Sequence, residues 1–119
     1  MKSKLLILLT LVMLSSCGFP DYVYEGEVFD GYEVAEGILR AEVLAGEDFK
    51  RDDLVVGTEP GICGKTYMAC VVRPNLIMIS KEFPIAAQVC HEVLHIMALD
   101  YHDTWDKGHN KYDYYRCDV

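Results

Sequence analysis

Residues 89–103 read VCHEVLHIMALDYHD, and the reading of this stretch decides how the rest of the chain is organised. It lies within PIAAQVCHEVLHIMAL (84–99), which is apolar on nearly every side of a helical wheel. Pro84 suits the first turn of a helix, where its missing N–H would have no partner. A helix that is apolar all round belongs in a core. Its only charged residue, Glu92, stands between His91 and His95. A carboxylate buried there is costly unless it is paired or serves a bound metal and its water.

Residues four apart on a helix lie one turn above the other, so His91 and His95 can aim two imidazoles at one ion. Glu92 sits beside them, within reach of the remaining coordination position. HEVLH (91–95) thus resembles the HExxH motif of the zincin metallopeptidases. That resemblance implies Zn2+ as cofactor and Glu92 as general base toward a zinc-bound water, with peptide-bond hydrolysis as the reaction.

The third protein ligand departs from the family pattern. Metzincins carry HExxHxxGxxH, in which a glycine ends the helix before the third histidine. Here Ala98 takes the glycine position and Tyr101 the histidine position, and His102 follows one residue late. On an unbroken helix His102 would lie about 10 Å along the axis from His95. Zinc–nitrogen bonds of about 2.0–2.1 Å do not allow that. His102 as third ligand therefore requires the helix to break between Ala98 and His102. Asp106 is the alternative, in the manner of aspzincins, with Asp103 less well spaced. His109 is also within reach of a looped tail, and Tyr101 is a weaker candidate. No glutamate follows Glu92, which closes the gluzincin route, and no methionine follows Met97 to make the methionine turn of metzincins.

The first residues, MKSKLLILLTLVMLSSC, place Lys2 and Lys4 ahead of an apolar run that ends at Leu14. The run is too short for a stable span and has the layout of a secretory signal. Leu14-Ser15-Ser16-Cys17 resembles a bacterial lipobox. Residues 1–16 are then a signal peptide and Cys17 the lipidated anchor, which implies the cell envelope, on the periplasmic side of the outer membrane in a diderm. Residues 17–32 form an acidic anchor-proximal segment expected to include a solvated spacer, and 33–119 form the domain. With a net charge of −8, nucleic acid is excluded as a partner on electrostatic grounds.

Beyond Cys17 there are four cysteines, Cys63, Cys70, Cys90 and Cys117. In a small exported chain they read as two disulfides, and three pairings are possible. Cys63 with Cys70 would staple a hairpin, and Cys90 with Cys117 would tie the tail to the HEVLH helix. Residues 33–46 predict a helix, with Val34, Ile38, Ala41 and Ala45 at helical spacing and Gly46 at its end, although Gly37 weakens it. DLVV predicts a short strand. KTYMACVV and NLIMIS, separated by Arg73-Pro74-Asn75, predict a hairpin. In the tail, Trp105, Tyr112, Tyr114 and Tyr115 are expected to cover the core, and a tyrosine near the metal could stabilise an oxyanion.

The expected fold class is α+β: a small zincin-like domain with a short mixed sheet, an N-terminal helix and a central active-site helix. The expected function is that of an exported, lipid-anchored zinc peptidase acting on a peptide or protein substrate. The alternative is a non-catalytic, disulfide-stapled lipoprotein binding module with structural zinc or none.

Overall fold

Helix α1, Tyr32–Ala45, buries Gly37 and Ala41, with Val34, Ile38 and Ala45 packed against the core. This is the face that the spacing predicts. Gly46 ends the helix in the left-handed region (φ 70°) and returns its N–H to the Glu42 carbonyl. The computed structural model describes residues 24–64 and 69–118. The signal peptide and Cys17 lie outside the described residues.

Strands β1 (Val55–Gly57), β2 (Cys70–Arg73) and β3 (Leu76–Met78) form one sheet in the order β1-β3-β2. The β2–β3 hairpin turns where Pro74 predicts. β1 runs parallel to β3, with Val56 opposite Ile77, so the sheet is mixed. β3 is central and fully buried. The acidic segment is more than a spacer from Tyr24 onward: Val28 bridges Gly57, and the Phe29 N–H donates to the Val56 carbonyl at 2.7 Å.

Helix α2, Ile85–His102, packs across this sheet and against α1. Val89, Val93, Leu94, Ile96 and Met97 are fully buried and meet Ile77 and Ile79 in the core. Its first turn is fastened by Gln88, whose side-chain amide accepts from the Ser80 N–H (2.8 Å) and donates to the Ser80 carbonyl (2.7 Å). The fold is α+β, with α2 at its centre.

Two disulfides close the framework. Cys63–Cys70 links the 3-10 turn Pro60–Cys63 to the edge strand, and Cys90–Cys117 ties the 3-10 turn Tyr114–Asp118 to α2. The Arg40 guanidinium donates to the Cys117 carbonyl at 2.9 Å, which fixes the same tail to α1.

Gly37, unfavourable by helix propensity, has a packing role. A Cβ there would lie 2.7 Å from the Ala86 carbonyl oxygen and 2.6 Å from the Val89 Cβ. Backbone cannot yield as a flexible side chain can, so α1 and α2 would have to separate. Gly37→Ala gains about 1 kcal/mol of helix propensity but incurs an overpacking cost of about 1–3 kcal/mol. The expected result is a lower midpoint in thermal unfolding followed by circular dichroism. A raised midpoint would contradict this close approach.

Candidate metal centre

α2 presents His91 and His95 one turn apart on the side facing a cleft beside β2. The helix does not break after Ala98; it continues through His102, a correction to the expected stop. Without a glycine, the stop comes from Asp103, which adopts the left-handed conformation (φ 56°). Its N–H returns to the Leu99 carbonyl and that of Thr104 to Ala98. Aspartate tolerates this region better than most residues. His102 is therefore carried past the other two histidines, exposed on the last turn. Its ring lies 5.7 Å, centroid to centroid, from Tyr112.

The third imidazole in the group is that of His109. Its Nε2 is 3.1 Å from the Nε2 of His91 and 3.1 Å from that of His95. Two nitrogens each bonded to one tetrahedral ion lie about 3.3 Å apart, so the three-histidine set has the spacing of metal ligands. One shared proton could satisfy only one of these nitrogen pairs. A cation accepts all three lone pairs at once.

The tail that delivers His109 is tightly determined. Asp106 (φ 55°) and His109 (φ 55°) also take left-handed conformations, and the His109 N–H closes a turn onto the Asp106 carbonyl at 2.8 Å. Asp106, 6% exposed, is placed by the structure beneath the site. Its carboxylate accepts from the N–H groups of Asn110 (2.9 Å) and Lys111 (2.8 Å) and from the Tyr114 hydroxyl (2.7 Å). Burial opposes its ionisation, but these three donors prevail and hold its pKa below the usual range. Asp106 thus folds the loop that brings His109 in, and its oxygens are already engaged. Asp103 serves as the helix stop. Tyr101 donates to the Asp48 carbonyl, away from the histidines.

Tyr114 forms a floor under the cluster, with its ring centroid 4.6–5.2 Å from the three imidazoles. Its hydroxyl is committed to Asp106, and burial, then Asp106, raises its pKa. This makes it a support for the rings, while Tyr115 is exposed.

The imidazoles are prepared for coordination. His95 Nδ1 lies 2.7 Å from the Trp105 carbonyl. A carbonyl only accepts, so the proton sits on Nδ1 and the lone pair on Nε2. Burial, with like charge from His95 and His109, lowers the His91 pKa to about 4. Burial also lowers that of His95. Both rings are then neutral near pH 7, the form that binds metals. Glu92 is 7% exposed and lines the same cleft, and burial pushes its pKa up to about 7.

The cleft, about 530 Å³, runs between β2 and the tail, with Val71 on one wall and Trp105 on the other. Among the described residues the group that could hold a metal ion has three members, His91, His95 and His109, and all three line this cleft. A closed structural zinc site has four protein ligands, whereas a catalytic one keeps a position free. No family model matches this chain, and no curated protein or solved structure matches it.

Proposed function

We propose that the protein is a zinc-dependent peptidase, exported and anchored through Cys17, that holds zinc with His91, His95 and His109 and uses Glu92 as its base. The observation that carries this reading is the convergence of three Nε2 atoms beside a buried carboxylate on an open cleft. Zinc bound in such a site supplies Lewis acidity and lowers the pKa of its water to about 7. Glu92, buried in the wall of the cleft, would take a proton from the attacking water and return it to the departing amine. His95, oriented by the Trp105 carbonyl, keeps its lone pair toward the ion. Support for a peptide substrate comes from β2, an edge strand along the cleft. Such an edge can align an extended chain through main-chain hydrogen bonds.

Glu92→Gln removes the base while preserving size and leaving every ligand in place. Peptide hydrolysis by the zinc-loaded protein is expected to fall by about 10²–10⁴-fold, with zinc content unchanged. If the variant keeps wild-type turnover, the catalytic assignment is wrong. If the wild type binds zinc but cleaves no peptide, the binding-module alternative stands.

A further inference from the structure

We infer that Lys107 makes this cleft selective for peptides carrying a carboxylate next to the scissile bond. The inference rests on the peptidase reading of the site. Lys107 is the only Lys or Arg among the described residues lining the cleft, in a chain of net charge −8. No carboxylate pairs with it among the described residues. The nearest in sequence, Asp106, spends its oxygens on Asn110, Lys111 and Tyr114. Three cations away from the cleft are neutralised by carboxylates, Arg51 by Asp100, Lys81 by Glu27 and Arg40 by Glu36, whereas Lys107 stands in the cleft itself.

The backbone at Lys107 is held in place by a turn. It occupies the turn closed by the His109 N–H on the Asp106 carbonyl, two residues from a ligand of the proposed metal. The bonds that place His109 therefore place the Lys107 backbone too, at a constant offset from the reacting centre. Trp105, 36% exposed, precedes it on the same wall and offers an aromatic face for a substrate stem. Opposite, Val71 and Val72 present apolar surface. A group that complements an ammonium and an indole lining one cleft is a carboxylate on a short aliphatic stem. An Asp or Glu side chain fits, and so does the C-terminal carboxylate of a short peptide.

The test compares peptides identical except for Glu against Gln flanking the cleaved bond, and a second pair with free or amidated C-termini. Each is measured for kcat/KM with zinc-loaded wild type, and for binding to zinc-loaded Glu92→Gln, which holds peptide without turning it over. The expected preference for the carboxylate is about fivefold, typical of a partly screened ion pair. It should vanish in Lys107→Gln and reverse in Lys107→Glu, with zinc content unchanged throughout. Discrimination in the Glu/Gln pair alone identifies a side-chain carboxylate, and discrimination in the second pair alone identifies a chain terminus. Equal affinities, or a preference indifferent to Lys107, would overturn the inference. An absence of cleavage alongside a Lys107-dependent binding preference would overturn the peptidase reading and leave carboxylate recognition standing.

Discussion

His109→Ala is expected to weaken zinc binding by at least about 100-fold, while His102→Ala changes it little. Disturbing a partner behind a metal ligand already costs about 10–100-fold, and this variant removes a proposed ligand itself. His109 Nε2 stands 3.1 Å from both other donor nitrogens. His102 is separated from them by helix geometry. α2 is continuous through residue 102, so His102 lies about 10 Å along the axis from His95. Asp106→Ala should fall between the two, because it loosens the turn that carries His109 without removing a donor. Competition against a chromophoric chelator measures all three affinities. A large loss in His102→Ala with none in His109→Ala would require α2 to unwind after Ala98 and would overturn the ligand set.

Removing the Cys90–Cys117 disulfide, as a double alanine variant, is expected to affect stability and metal together. The bridge closes a loop with a sequence separation of 27. The chain-entropy account gives about 3.5 kcal/mol for such a loop, which lowers the thermal midpoint of a domain this size by roughly 15–25 °C. Cys90 directly precedes His91, and Cys117 lies in the tail that carries His109. Breaking the bridge therefore frees the tail on the far side of the third ligand. Cys63–Cys70 spans a separation of only 7, and neither cysteine lies on α2 or on the tail that carries the three histidines. Its removal should cost about 2 kcal/mol and leave zinc affinity near the wild-type value. Calorimetry with chelator titration separates the cases. Equal effects from the two bridges would show that the Cys90 bridge does not hold the site together.

Much of the fold is legible in the sequence because local chemistry and tertiary packing agree. Val34, Ile38 and Ala41 lie on the face of α1 that the core takes, and Gly46 stops that helix. Pro74 sits in the hairpin turn and Pro84 opens α2. The parallel pairing of β1 with β3 is a long-range choice with no local signal. Gly37 reads as a weak point of a helix until α2 is seen pressed against it.

At the site, the approach of His91 to His95 is legible because two histidines four apart on one helix meet by local geometry alone. The third is not, since it depends on where the chain goes after the helix. The nearest histidine favours His102 only if the helix breaks, and Asp103 instead lets it run to its end before turning. Two features of the sequence point toward His109 when taken together. Asp106-Lys107-Gly108 is turn chemistry placed just before it. A Cys90–Cys117 bridge makes the tail run back along α2 from His102 toward His91, which carries the middle of the tail past His95.

X-ray absorption at the zinc edge of the zinc-loaded full chain tests the central claim most directly. The account predicts one zinc per chain with three imidazole nitrogens at about 2.0–2.1 Å, one further light-atom ligand and no sulfur. His109→Ala should lose one imidazole from that shell, and His102→Ala should leave it unchanged. A sulfur-containing shell, a third imidazole that survives in His109→Ala, or a wild-type chain that takes up no zinc would contradict it.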